Sequence, residues 1–308
     1  MAKYARLRER VSRIAAALMR VPDAASDAEL GRAHDTGYVD AVSRGALDER
    51  AQRRIGFPWS PAMVERSRRS AGATLAACRC ALEAGLGINL AGGTHHAHRD
   101  HGEGFCVFND AAVAAHAMRA EGRARRVLVV DLDVHQGDGT AAIFDGDASV
   151  TTLSVHGRQN FPFRKARSSI DVELDDGTGD DAYLATLATV LPRAIDRARP
   201  DLAIYLAGAD PYAGDRLGRL ALSKAGLAER DRLVLDRLAA LGVPVAIAMA
   251  GGYAEDVDDV VDIHAATVAL ALERHGAILT GMIPPKLAAR ASPQGACPRP
   301  WGGPAGAR

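Results

Sequence analysis

Four apolar runs rich in β-branched residues punctuate this 308-residue chain: RVLVVDLD (126–133), SVTTLSVH (149–156), DLAIYLAGAD (201–210) and VPVAIAMAGGY (243–253). Helical spacing separates them, over about 181–198 and 223–241, with GTAAIF a short helical segment and a last helix through about 256–274. A strand buried on both faces reads as an unbroken apolar run, and a parallel partner is reached by a crossover, usually a helix. The alternation therefore predicts an α/β chain whose parallel sheet is covered on both faces. Upstream, Leu7, Val11, Ile14 and Leu18 mark an amphipathic first helix. A second helix covers about 61–85, with Ser60-Pro61 at its start, and GINLA (87–91) is a short apolar run behind it. NDAAVAAHAMRAEG (109–122) reads as a helix ending at Gly122.

Composition removes several classes of function. Thirty-eight basic residues balance thirty-eight acidic ones, so no general attraction to nucleic acid or anionic membrane is expected. No apolar run approaches the roughly 18–20 residues that span a bilayer, and the Lys/Arg-rich first twenty residues hold no apolar core of a secretory signal. Cys78, Cys80, Cys106 and Cys297 form no disulfide or zinc framework, which points to reduced thiols and a cytoplasmic setting. The Pro/Gly/Ala-rich tail, 284–308, is expected to lack stable structure.

In open parallel sheets ligands bind at the carboxyl ends of the strands, and those ends are polar here. DLDVHQGDG begins at Asp131. Residues i, i+2 and i+4 of an extended chain share a face, so Asp131, Asp133 and His135 point one way, and Asp138 follows. Such a cluster at the end of a buried strand is costly unless something binds it, and a divalent metal offsets that cost. Asp210 ends a second strand and supplies a further ligand. Tyr253, after Gly251-Gly252, projects over the same crevice, and the glycines would let it swing in with substrate. An Asp–His–Asp set leaves positions open, as a catalytic zinc requires. Fe(II) would also suit an oxygen-rich set. Two carboxylates blunt the ion's effect on its water, so a nearby base is needed. GGTHHAHRDHGEGF (92–105) supplies it: one of His95 and His96 takes the water proton and the other assists, with Asp131 and Asp138 as the acids that fix their tautomers.

GGTHHA, GEGFCVFND, VDLDVHQGDGTAAIF, AGADPYAGDRLGRLALS and AGGYAEDVDD, in this order over about residues 30–275, resemble the zinc-dependent histone deacetylase family. HQGDG, GDRLGRLALS and NFPFRK are most similar to its bacterial branch related to class IV. The resemblance implies one three-layer α/β/α domain of the arginase/deacetylase type over 1–283. It implies zinc on Asp133, His135 and Asp210, with His96 as general base paired with Asp138. His95, paired with Asp131, would be an electrostatic or acid partner, and Tyr253 would donate to the amide carbonyl and then the oxyanion. Gly104, Phe105 and Phe161 would line the tunnel for the acyl-lysine stem, with Phe163 an alternative to Phe161. A potassium ion would fall to Asp131, Asp133, His135 and Ser154, largely through backbone oxygens. The implied substrates are acylated lysine in a protein or peptide, or an acylated small amine.

Three departures stand out. Family members usually carry a strand and loop before the helix that opens this chain, so a strand and part of the site wall are expected to be missing, or the start to be set late. Ala250 replaces a more usual glycine, a methyl expected to matter little. His98 and His101 match no family role and are expected at the surface. Two rival readings share the fold. A ureohydrolase would want acids two residues after His135 and Asp210, where Gly137 and Tyr212 stand. A non-catalytic acyl-lysine or polyamine binding module would lack a ligand, base or tyrosine.

Overall fold

A computed structural model describes residues 2–279. The four apolar runs, GINLA and one strand not expected from the sequence form a six-stranded sheet: β1 (Leu86–Asn89), β2 (Val127–Asp131), β3 (Val150–Gly157), β4 (Ile170–Leu174), β5 (Leu202–Leu206) and β6 (Val245–Ala248), with β4 the unexpected one. Their order is β1-β6-β5-β2-β3-β4, and every pairing is parallel. All residues of β2, β3, β5 and β6 are buried. The side chains of β2 split by alternation. Leu128 and Val130 join one core with α8 (Asp180–Ala198), α9 (Lys224–Ala240) and α10 (Val257–Leu279). Val127 and Val129 join the other with α5 (Pro61–Ala84) and α6 (Asp110–Ala120). This is the three-layer arrangement expected.

Local signals set the helix limits. Ser60 caps α5 by accepting from the Met63 amide, Pro61 occupies the first turn, and Gly85 closes the helix in the left-handed region. The first helix, α1 (Ala2–Ala15), buries Leu7 and Val11 and pairs Arg6 with Asp258 and Arg10 with Asp262 on α10. Its expected stripe is shorter than the spacing suggests. Ile14, in the last turn, is exposed, and so is Leu18, which falls in the 3-10 turn that follows Ala15. Three short helices not expected from the sequence follow α1: α2 (Asp27–Leu30), α3 (Thr36–Arg44) and α4 (Glu49–Ile55); α7 (Asp138–Ile143), after β2, is the helical segment anticipated at GTAAIF. The expectation for 284–308 lies outside the described residues.

The strand ends differ from their sequence limits in a consistent way. β2, β5 and β6 stop at Asp131, Leu206 and Ala248, although apolar residues continue beyond each. The backbone turns there, and the loops are stitched by Leu132 N–H to Leu206 O (3.1 Å), Ala207 N–H to Ala248 O (2.8 Å) and Ala209 N–H to Gly251 O (3.0 Å). The switch point lies between β2 and β5: the chain leaves β2 for β3 on one side and returns as β5 on the other. A crevice opens at such a point beyond the carboxyl ends.

Candidate active site

Asp133, His135 and Asp210 sit in that crevice, and each offers a ligand atom within 4.8 Å of the others. His135 Nδ1 lies 2.9 Å from Asp133 Oδ1 and 3.4 Å from Asp210 Oδ2. All three are buried, and Asp210 Oδ2 has no hydrogen-bond donor. Burial, then the neighbouring Asp133 charge, pushes the Asp210 carboxyl up to about 7. Burial opposes charge on His135, but Asp133 and Asp210 together lift it to about 10. An orphaned oxygen facing a second carboxylate is what a cation would satisfy, so the residues fit a divalent metal. Gly251 leaves room for it. A Cβ there would fall 1.8 Å from Asp210 Oδ2 and 2.5 Å from Asp133 Oδ2, and its amide donates to Asp133 Oδ2 at 2.8 Å.

Beside this set the two adjacent imidazoles take different partners. His95 Nδ1–H donates to Asp131 Oδ2 and His96 Nδ1–H to Asp138 Oδ1, each at 2.6 Å, with the rings 4.2 Å apart. Burial alone would lower His95, but Asp131 and Asp133 reverse that and hold its pKa at about 9. Burial and the His95 charge push His96 down to about 4, against the pull of Asp138. One ring is held cationic and the other neutral. Environments that push two titratable groups apart in this way are how acid and base roles are divided.

The loop carrying them is clamped by residues that sequence reasoning did not single out. Asp110 accepts from the Gly93 and Thr94 amides at 3.0 and 2.8 Å. Asn109, which caps α6, donates through Nδ2 to His95 O and Ala97 O at 3.2 and 3.1 Å. The cue was a buried Asn-Asp pair at a helix start.

Phe161 packs edge-on against His96 with ring centroids 4.9 Å apart, whereas Phe163 is 86% exposed. Phe105 lies at the opening, 44% exposed, its ring 6.2 Å from that of Tyr253. Gly104 (φ +54) runs between His96 and Phe161. A Cβ there would meet their rings at 2.8 and 3.2 Å. The end of α4 holds this turn, through Gly104 N–H to Arg54 O and Phe105 N–H to Ile55 O. Ser154 stands beside Asp131 in the β2–β3 register, with its Oγ 2.9 Å from His156 Nδ1.

The segment bearing Tyr253 is anchored rather than free to swing. Tyr253 N–H donates to Asp215 Oδ2 at 2.6 Å, and Arg216 Nε donates to Tyr253 O at 3.0 Å. Lys3 of α1 donates to Gly252 O at 3.2 Å and Ala250 O at 3.5 Å, and its ammonium lies 5.1 Å from the Tyr253 ring. Ala250 holds φ +55, so its methyl is not neutral: a non-glycine residue in this region costs about 1–2 kcal/mol. Lys3 bonds the carbonyls on either side of the Gly251 step and so helps to hold this conformation. Lys3→Met is expected to lower kcat about tenfold with bound metal unchanged, since a charged hydrogen bond contributes roughly 1.5–3 kcal/mol and half-exposure reduces it. Unaltered turnover would show that the loop holds itself.

His98 is not the unpaired surface residue expected. It is half-buried, and its Nε2–H donates to Asp138 Oδ2 at 3.3 Å, giving the acid behind His96 a second imidazole. His101 is half-buried beside it, with the two rings stacked 4.4 Å apart.

The chain is similar to known proteins in sequence and in fold. Residues 2–268 match the histone deacetylase domain. An uncharacterized protein of Picosynechococcus sp. is 48% identical over 231 residues, 75% of this chain and 77% of that one. Histone deacetylase 2 of Arabidopsis thaliana is 33% identical over 75% of this chain. The histone deacetylase-like amidohydrolase of Pseudomonas aeruginosa is 32% identical over 77% of it. The matched region spans 62% and 66% of those two relatives. The crystal structure of the HDA15 HD domain superposes with a TM-score of 0.72 at 24% identity, over 94% of this chain and 91% of that one.

Proposed function

The chain belongs to the histone deacetylase family, and on that premise we propose that it hydrolyses amides, removing acetyl or longer acyl groups from lysine side chains or acylated amines. The observation that carries this reading is the pair of buried imidazoles, each on its own carboxylate, beside the convergent Asp133, His135 and Asp210. Those three would hold one zinc ion, or Fe(II), which supplies Lewis-acid polarisation when bound. His96, neutral and fixed by Asp138, takes the water proton at Nε2. His95, held cationic by Asp131, is the electrostatic or acid partner as the amine leaves. The Tyr253 hydroxyl donates to the carbonyl oxygen as charge builds on it. Gly104, Phe105 and Phe161 take the apolar stem of the acylated side chain and keep water from it. Potassium, if bound, falls to Asp131, Asp133, His135 and Ser154, and the side-by-side register of Asp131 and Ser154 supports that. Buried Cys78 and Cys106, which carry thiols, support a cytoplasmic setting, and among the described residues no helix is long and apolar enough to cross a membrane.

A panel of acetyl-lysine peptides, acetylpolyamines and fatty-acyl-lysine peptides tests the reading. We expect turnover on at least one class, loss of it on chelation, return with Zn2+, and one tightly held ion per chain. Metal-loaded protein that leaves the whole panel intact would overturn the deacylase reading. Two tightly held ions would overturn the single-ion site.

A further inference from the structure

We infer that His98, His101 and Glu103 form a second, exchangeable site for a divalent transition metal, and that an ion there inhibits the enzyme. The three side chains offer ligand atoms within 4.8 Å of one another at the rim of the site. Each imidazole already has a carboxylate on one nitrogen, the arrangement that orients metal-bound histidines. Nε2–H of His98 donates to Asp138, and Nδ1–H of His101 donates to Asp100 Oδ1 at 2.7 Å. The remaining nitrogens, Nδ1 of His98 and Nε2 of His101, therefore carry free lone pairs. The latter lies 3.9 Å from Glu103 Oε2. Two imidazoles and one carboxylate form the donor set of an open zinc site and also suit Ni2+ or Cu2+.

The backbone holds these donors together. His98 N–H donates to His101 O at 2.8 Å, and Glu103 and Cys106 exchange bonds at 3.1 and 2.8 Å. His34 Nδ1–H donates to His98 O at 2.8 Å. The near-parallel rings, 12° apart, present their nitrogens within one small volume. The backbone thus gathers the three ligand-bearing side chains before any ion binds.

The consequence for activity follows from Asp138, whose two oxygens accept from His96 and His98. A divalent charge on His98 competes electrostatically for Asp138 and makes His96 a poorer proton acceptor. This part rests on His96 being the base, whereas the binding itself does not.

The test starts from dialysed protein holding one ion and titrates Zn2+ while bound metal and turnover are measured. The wild type should take up a second ion, with kcat falling at least tenfold as it binds. The double variant His101→Ala, Glu103→Gln should keep the first ion and the basal rate, take up no second ion and escape inhibition. Glu103→Gln alone, which removes one ligand and little packing, should weaken uptake and serves if the double variant is unstable. Failure of the wild type to bind a second ion, or undiminished binding by the variants, overturns the site. Binding without inhibition overturns the coupling to Asp138. Stoichiometry is read without any substrate, so a failed deacylase reading is distinguishable from a failed metal site.

Discussion

His96→Ala is expected to lower kcat by about 10²–10⁴, the usual contribution of a positioned general base, with bound metal and fold retained. The reasoning rests on charge state first. Burial and the neighbouring His95 keep His96 neutral, with its pKa pushed down to about 4, so the lone pair on Nε2 is available at neutral pH. Asp138 accepts from Nδ1–H and fixes that tautomer, and Phe161 packs against the ring and limits its tilt. His95 cannot stand in. Asp131, which accepts from its Nδ1–H, favours its protonated form, and a cation does not accept a proton. The two neighbours are therefore not redundant, despite sharing one loop. Neither Asp133, His135 nor Asp210 loses a hydrogen bond on this substitution, so metal analysis should match the wild type. A variant that keeps near-normal turnover while holding its ion would remove His96 from the proton transfer.

The sequence disclosed the buried strands because burial on both faces leaves an unbroken apolar run, as in VLVVD and LAIYL. β4 was missed for the opposite reason. Its residues alternate between half-buried and exposed at the sheet edge, so IDVEL carries charges that read as loop. Strand ends were overrun because Ala207 and Ala209 are buried without being paired in a strand. Asp133, His135 and Asp210 were legible since acids at the close of apolar runs have few structural reasons to be there. What remained hidden depends on pairings between distant positions. Lys3 reaches Gly252, and His98 reaches Asp138. Neither residue differs by type or spacing from an ordinary surface side chain. The strain at Ala250 was likewise invisible, because φ is set by the loops around it and not by the alanine.

Tyr253→Phe is expected to cost about 10²–10³ in kcat, the loss seen when one oxyanion donor is removed, or about 2.7–4 kcal/mol. Amide hydrolysis builds negative charge on the carbonyl oxygen as water adds, and a donor aimed at that oxygen acts mostly in the transition state. The hydroxyl is suited to this because it stays protonated. Burial and then the Asp133 and Asp210 charges raise its pKa well above that of free tyrosine. Its backbone is held before reaction, by Asp215 at the amide and Arg216 at the carbonyl, with Lys3 behind Gly252. A donor fixed in this way needs little reorganisation when charge develops. Phenylalanine keeps the ring beside Phe105 and the bonds of the loop, so the substitution removes a single O–H from an otherwise intact site. Substrate binding should change far less than kcat, since the neutral carbonyl is a weaker acceptor than the oxyanion. The assay uses the best substrate of the panel, with metal measured alongside. If turnover is near normal in a variant that still holds its ion, Tyr253 only packs against Phe105, and the charge on the oxyanion must be met by another donor.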